Sequence, residues 1–154
     1  MADESLCVED EVRDEDRAFL NEQLYRFNAT AAGVNDGQWL AVLARDGEGQ
    51  IRAGLHGWTW GGAGYVDTLW VREDLRGNGL GTQLLAAAEA EAARRGCREM
   101  HLTTHSFQAP GFYWRQGYGL IGELPGWPGD TTRLFFRKAL GGPAATPGGP
   151  RSNA

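Results

Sequence analysis

A glycine-rich turn between an apolar strand and a helix constrains the fold more than any other segment of the chain. Residues 69–85 read Leu-Trp-Val-Arg-Glu-Asp-Leu-Arg-Gly-Asn-Gly-Leu-Gly-Thr-Gln-Leu-Leu. Glycines permit a tight turn, and the first N–H groups of the following helix have no partner within the helix. These donors and the positive end of the helix dipole favour an anion. The turn therefore predicts a site for a diphosphate, to which Arg76 adds further donors.

The glycine spacing separates three kinds of nucleotide ligand. A nucleoside-triphosphatase loop has the pattern G-x-x-x-x-G-K-S/T, whereas Thr82 follows Gly81 directly and the only lysine of the chain is Lys138. A dinucleotide-binding turn has the spacing G-x-G-x-x-G and an acidic residue about 20 residues later, at the end of a strand. The spacing here is G-x-G-x-G, and Glu99 is predicted to begin a strand. Coenzyme A is the remaining common diphosphate cofactor.

Two sequence patterns together resemble the GNAT superfamily of N-acetyltransferases. The segment 76–81, Arg-Gly-Asn-Gly-Leu-Gly, matches the superfamily's Arg/Gln-x-x-Gly-x-Gly/Ala turn after an apolar strand. The segment 107–118, Phe-Gln-Ala-Pro-Gly-Phe-Tyr-Trp-Arg-Gln-Gly-Tyr, is similar to its A-x-x-F-Y-x-x-x-G-F/Y helix. The resemblance covers about residues 38–140, and the residues before them fit only in length and helical pattern. It implies acetyl-CoA as co-substrate.

The predicted organisation is one α/β (α+β) domain with the GNAT fold over residues 1–140, followed by a disordered tail over 141–154. The resemblance implies a mixed, mostly antiparallel sheet of six to seven strands and about four flanking helices. A central parallel pair of strands would splay around the cofactor. The hydrophobic content of 42% supports a packed core, and the Gly- and Pro-rich tail has almost nothing to bury.

Apolar periodicity places the individual elements. Strands are predicted at residues 6–8, 39–44, 51–60, 65–71, 97–105, 118–122 and 131–138. Helices are predicted at 14–30 with Gly33 at its end, from 80 to a cap at Gly96, and from Pro110 to Gly117. A helical crossover makes the strands at 65–71 and 97–105 parallel. Most tryptophans are expected in the core, except Trp127 in a glycine–proline loop.

The resemblance implies roles for individual residues that bind acetyl-CoA or act on its thioester. Tyr113 is the predicted acid, because a phenol with a pKa of about 10 can give its proton to a thiolate as the C–S bond breaks; packing between neighbouring aromatic residues is its alternative role. Backbone groups of Leu69 and Val71 are expected alongside the pantetheine arm, next to a bulge that opens the cleft. The predicted cofactor contacts are Leu69, Trp70, Val71, Arg76, Gly77, Asn78, Gly79, Leu80, Gly81, Thr82, Gln108 and Tyr113.

The acceptor side offers several candidates, each with a structural alternative. Two-residue alternation puts Asp67 on the strand face of Leu69 and Val71, where a carboxylate could orient an ammonium, take its proton through water, or make a structural hydrogen bond. His105 has a side chain suited to a base, and packing or helix capping is its alternative role. The predicted acceptor contacts are Tyr25, Asn28 and His105, the first two because the family's early helices often form a wall of the acceptor pocket. His56 and Glu123 are weaker candidates.

Charge and composition exclude several classes of partner. The formal net charge is −5, with the acidic residues concentrated near the start of the chain. This acidity disfavours nucleic acid; it either attracts a cationic amine or stabilises the first helix. The chain lacks an apolar run of about 20 residues and a basic start typical of secretory signals, so we expect no membrane partner and a cytoplasmic location. The spacing of its two cysteines predicts neither a disulfide nor a metal site.

Two functions from different classes fit these patterns. The first is an acetyl-CoA-dependent N-acetyltransferase that modifies a primary amine of a small molecule or a protein by direct attack on the thioester. The second is a non-catalytic GNAT-like module that binds acyl-CoA and regulates. The intact glycine turn and Tyr113 favour the enzyme. Family members can exchange C-terminal strands between subunits, so a homodimer is compatible with the resemblance.

Overall fold

The computed structural model describes residues 5–141 of the 154-residue chain. The described residues form two compact units that meet in sequence between Asn35 and Asp36, and we describe each separately. The first unit contains helix α1 (Asp14–Ala32). The second contains strands β1 (Gln38–Arg45), β2 (Ile51–Trp60), β3 (Ala63–Val71), β4 (Glu99–His105), β5 (Gly119–Pro125) and β6 (Thr132–Ala139), and helices α2 (Leu80–Arg94) and α3 (Pro110–Arg115). The predicted tail, apart from Gly141, lies outside the described residues.

The first unit confirms the predicted helix and corrects the strand before it. Helix α1 ends at Gly33, whose φ of 67° is the left-handed conformation that glycine adopts readily. Its first turn carries Asp14, Glu15 and Asp16, as expected where carboxylates stabilise a helix start. The strand predicted at residues 6–8 is wrong, because Leu6 and Val8 are almost fully exposed and have no strand partner among the described residues. A strand this short needs a neighbour to pair with.

The second unit is built on a six-stranded sheet of order β1-β2-β3-β4-β6-β5. Strands β3 and β4 are parallel and every other neighbouring pair is antiparallel, which confirms the predicted mixed sheet. The described residues hold three α-helices, where the resemblance implied about four, and a 3-10 turn at Glu73–Leu75. Helix α2 is the crossover that returns the chain to a parallel strand.

The core lies between α2 and the sheet face against which it packs. The apolar face of α2 buries Leu84, Leu85, Ala88 and Ala92, as its periodicity predicted. The sheet contributes buried side chains from five strands, among them Leu40, Leu55, Met100, Leu102 and Phe136. The expectation that most tryptophans are core residues is wrong: five are exposed and Trp60 is partly buried. In β1 and β2, the buried positions Leu40 and Leu55 take the core face, and alternation turns Trp39 and Trp58 to the other face.

Candidate functional site

The site begins where β3 and β4 separate. Residues Ala63–Val66 of β3 pair with residues Glu99–Leu102 of β4. Beyond these residues both strands continue without pairing with each other. At the same level the β2–β3 register shifts, since His56 pairs with Thr68 but Gly57 pairs with Val66, which leaves Asp67 unpaired. A Cβ on Gly57 would lie 1.8 Å from the carbonyl oxygen of Tyr65, so this irregularity requires glycine there. The predicted bulge is therefore confirmed, and it lies at Asp67.

The separated strands and the two following helices enclose a cleft of about 840 Å³, a size typical of ligand sites. Its walls include most of the predicted cofactor contacts: Leu69, Trp70, Val71, Arg76, Gly77, Gly79, Leu80, Gly81, Thr82, Gln108 and Tyr113. Asp67 lines it too, whereas Asn78 and His105 do not. The cleft also uses residues that the sequence reasoning missed, among them Thr103, Thr104, Phe107, Phe112, Arg115 and Gln116.

The glycine turn presents backbone rather than side chains to the cleft. Gly77 and Gly79 have φ values of 78° and 79°, and a Cβ on either would meet no atom within 4 Å. Gly79 is the N-cap residue of α2, and no side chain of the described part of the chain caps this helix. The first N–H groups of α2 therefore have no capping side chain and can donate hydrogen bonds to an anion. This geometry agrees with the predicted diphosphate site.

Arg76 has a structural bond in addition to its place in the cleft wall. Its Nε donates to the carbonyl oxygen of Val71 at 2.9 Å, which ties the glycine turn to the end of β3. The expected fork of donors to phosphate is thus partly engaged within the protein. Arg115 of α3 supplies a second guanidinium to the lining. Gln116 donates to Thr82 Oγ1 at 3.1 Å, so the end of α3 is linked to the start of α2.

Tyr113 lies on α3 and combines packing with a free hydroxyl. The residue is 8% exposed, and its ring centroid lies 5.1 Å from that of Phe112 and 6.0 Å from those of Tyr118 and Phe136. Its hydroxyl has no hydrogen-bond partner among residues 5–141. Burial raises the pKa of Tyr113 above its ordinary value. The phenol consequently stays protonated at neutral pH, which is the state a proton donor requires.

Asp67 lies on a different face from the one that alternation predicted. Leu69 and Val71 pack against the core, whereas Asp67 Oδ2 lies 3.6 Å from Nε2 of His56, a residue of the opposite face. The unpaired residue in β3 interrupts the two-residue alternation and is the reason for the difference. Asp67 and His56 are both about half exposed, so the carboxylate is accessible from the cleft and from solvent.

The loop after β4 is closed by Gln108. Its Oε1 accepts hydrogen bonds from the Thr104 hydroxyl at 2.9 Å and from the His105 backbone N–H at 2.8 Å. The amide oxygen of this predicted cofactor contact therefore orders the loop. The His105 ring stacks on Phe107, with centroids 5.2 Å apart and an interplanar angle of 12°. The predicted packing alternative for His105 is thus present.

The other two predicted acceptor contacts belong to the first unit. Tyr25 donates a hydrogen bond from its hydroxyl to Oδ1 of Asn35 at 3.0 Å, and Asn28 is partly buried. Their role in acceptor binding stays a prediction. Over residues 5–141, no group of three or more His, Cys, Asp or Glu side chains is arranged to hold a metal ion. No helix within the same range has the length and apolar character needed to cross a bilayer.

Comparison with known proteins agrees with this architecture. The model of the acetyltransferase (GNAT) family matches residues 5–118. A blasticidin-S acetyltransferase of Streptomyces morookaense is 42% identical over 103 residues, 64% of this chain and 74% of that protein. An acetyltransferase of Agrobacterium fabrum, Atu2258, is 35% identical over 68% of this chain and 77% of its own length. Among solved structures, an acetyltransferase from Bacillus cereus superposes with a TM-score of 0.71 at 28% identity, covering 87% of this chain and 98% of that one.

Proposed function

Because the chain belongs to the acetyltransferase (GNAT) family, we propose that it transfers the acetyl group of acetyl-CoA to a primary amine of a small molecule. The observation that carries this proposal is a single cleft that joins two features. One end has the open glycine turn and the uncapped start of α2, and the same cleft is lined by Tyr113, whose hydroxyl has no hydrogen-bond partner within residues 5–141. The first suits a diphosphate and the second suits a leaving thiolate.

The donor fits the cleft from the glycine turn inward. The diphosphate would accept hydrogen bonds from the first N–H groups of α2, with Arg76 and Arg115 in the same wall. The pantetheine arm would then run along Leu69 and Val71, where β3 has lost its β4 neighbour and leaves backbone groups for another extended chain. A structure similar in fold, an aminoglycoside 6'-N-acetyltransferase (TM-score 0.61, 19% identity), was crystallised with coenzyme A.

The proposed reaction is a direct transfer. The neutral amine attacks the thioester carbonyl carbon, a C–N bond forms, and the C–S bond of the tetrahedral intermediate breaks. Tyr113 gives its proton to the departing thiolate, which leaves as free coenzyme A. The nitrogen, positively charged after the attack, loses a proton that returns to the Tyr113 phenolate and leaves the neutral amide. Asp67 orients the incoming ammonium and takes its proton through water before the attack. Two observations support this role for Asp67: it lines the cleft, and it lies at the bulge where the strands separate.

The acceptor class follows from the relatives rather than from the motif. The Streptomyces relative is named for acetylation of blasticidin S, a small molecule. A small-molecule acceptor is therefore the first candidate for this chain. A protein amine and a regulatory role without turnover remain the competing functions, and one experiment separates them.

The experiment follows thiol release from acetyl-CoA with a panel of amines, including blasticidin S, an aminoglycoside and a peptide with a free N-terminus. We expect thiol release that depends on a small amine, and a product heavier by one acetyl group in mass spectrometry. Release with the peptide alone would move the assignment to a protein acceptor. Tight acetyl-CoA binding in calorimetry, without release for any amine, would support the regulatory module instead.

A further inference from the structure

An aromatic cluster borders the cleft on the side of β4 and β6. We define the ring cluster as His105, Phe107 and Trp127, with the guanidinium of Arg133 beside it. His105 stacks on Phe107, and the Trp127 ring lies 5.1 Å from that of His105 at an interplanar angle of 50°. The guanidinium carbon of Arg133 lies 5.4 Å from the centroid of Trp127. Three rings and a planar cation thus meet at one end of the sheet.

The ring cluster is open to solvent and continuous with the cleft. Phe107 is 59% exposed and lines the cleft, and Trp127 is 47% exposed in the loop between β5 and β6. Arg133 donates from Nη2 to the hydroxyl of Thr103 at 3.0 Å, and Thr103 also lines the cleft. Large aromatic surfaces left exposed beside a ligand cleft are typical of a recognition site. The ring cluster is therefore placed to contact a ligand that enters next to Thr103.

Two nitrogen atoms in the ring cluster lack a partner. Nδ1 of His105 and Nε of Arg133 are buried without a hydrogen bond to any residue in the range 5–141, and the two residues are directly paired between β4 and β6. Both atoms are enclosed by the protein, so a ligand would meet the exposed ring faces and the charged guanidinium of Arg133 instead. Aromatic faces beside a guanidinium favour a planar ligand that carries a carbonyl or carboxylate oxygen.

We propose that the ring cluster binds a planar, oxygen-bearing unsaturated group of the acceptor and holds its amine toward the thioester, with Trp127 as the stacking residue. This inference rests on the proposed function and names the acceptor class: amines attached to a conjugated or aromatic group. A saturated polyamine would gain no stacking and would meet the positive charge of Arg133. The ring cluster acts on binding of the acceptor and leaves the donor site unchanged.

The test compares three amines of similar size: 4-(aminomethyl)benzoate, benzylamine and cyclohexylmethylamine. For the unmodified enzyme we expect kcat/KM to fall in that order, with benzylamine about fivefold better than its saturated analogue, as one aromatic contact predicts. Trp127→Ala should raise the KM for the two aromatic amines and remove the preference over cyclohexylmethylamine. The KM for acetyl-CoA should not change. Trp39→Ala, an exposed tryptophan on β1, is the matched control and should keep the preference.

Binding measurements keep the outcome decisive whatever the turnover. Binding of 4-(aminomethyl)benzoate in the presence of coenzyme A is followed by tryptophan fluorescence. The titration should saturate for the unmodified protein and for Trp39→Ala, and the affinity should be about fivefold or more weaker for Trp127→Ala. Equal selectivity and equal binding in all three proteins would overturn the ring cluster as a recognition site. Absence of thiol release with retained, Trp127-dependent binding would overturn the proposed reaction and leave this site standing.

Discussion

The two ends of the cleft are built from different materials. The donor end consists mainly of backbone: glycines with positive φ, the uncapped start of α2 and the unpaired edge of β3. The surface that borders the cleft near β4 and β6 consists of side chains from three separate segments: His105 at the end of β4 with Phe107 after it, Trp127 in the β5–β6 loop, and Arg133 on β6. The first depends on backbone geometry, whereas the second depends on the identity of each residue.

This difference has a physical consequence for what each region can bind. Backbone donors have fixed positions once the turn is formed, so their arrangement depends little on side-chain identity. Side chains gathered from loops alter shape and charge with single substitutions, so the ligand they favour depends on the residues present. Tyr113 lines the cleft, and in the proposed reaction it is the proton donor. The substitutions below test whether the two ends are independent.

The largest expected effect comes from Tyr113, the proposed proton donor. Tyr113→Phe removes the proton donor and keeps the ring that packs beside Phe112 and Phe136. We expect kcat to fall by about 10²- to 10⁴-fold, as for loss of a general acid. The Kd for acetyl-CoA, measured by calorimetry, should stay within about twofold, because the variant changes neither end of the cleft. Unchanged kcat would remove Tyr113 from the chemistry and leave it a packing residue.

The next largest effect tests the backbone character of the donor end. Gly79→Val forces a branched residue into a φ of 79°, a conformation that costs about 1–3 kcal/mol for residues other than glycine. We expect acetyl-CoA affinity to fall at least tenfold in calorimetry, because the turn must rearrange. Gly49→Val is a matched control, since Gly49 has a φ of 83° and equally open surroundings but lies in the β1–β2 turn. It should lose similar stability and keep its affinity; equal affinity in both variants would contradict the diphosphate site.

The contrast between backbone and side chains also explains what the sequence could predict. The turn, the crossover helix and the parallel pair follow from local glycine chemistry and periodicity, and the structure has them all. The predicted face of Asp67 was wrong because a single unpaired residue shifts the alternation. That unpaired residue depends on Gly57 in another strand. The exposed tryptophans and the ring cluster depend on which strands become neighbours in the folded sheet. The contact of Arg133 with Trp127 follows a loop conformation that no short pattern encodes.

A smaller effect tests the acceptor side at the bulge. Asp67→Asn keeps the size of the side chain but removes the carboxylate that lies 3.6 Å from His56. We expect kcat/KM for the amine to fall about tenfold, at the lower end of what proton transfer contributes, with no change in acetyl-CoA affinity. The loss should shrink at high pH, where more of the amine is already neutral in solution. A loss of the same size at every pH would assign Asp67 to orientation of the amine alone, and no loss would exclude it from the site.

The smallest effect concerns the stability of the wall that carries Tyr113. Burial raises the pKa of Tyr113, and burial together with the neighbouring Glu89 carboxylate raises that of Tyr118, whose hydroxyl donates to Glu89 at 3.0 Å. In the unfolded chain both phenols ionise near pH 10, whereas in the folded protein they stay protonated. The unfolded state therefore binds fewer protons above that pH, and the free energy of unfolding falls as pH rises through it. Urea unfolding between pH 8 and 11 should show this decline, and Tyr118→Phe should make it shallower. An equally steep decline in that variant would show that Tyr118 does not contribute to it. Tyr113 would then be the buried tyrosine whose ionisation causes the decline.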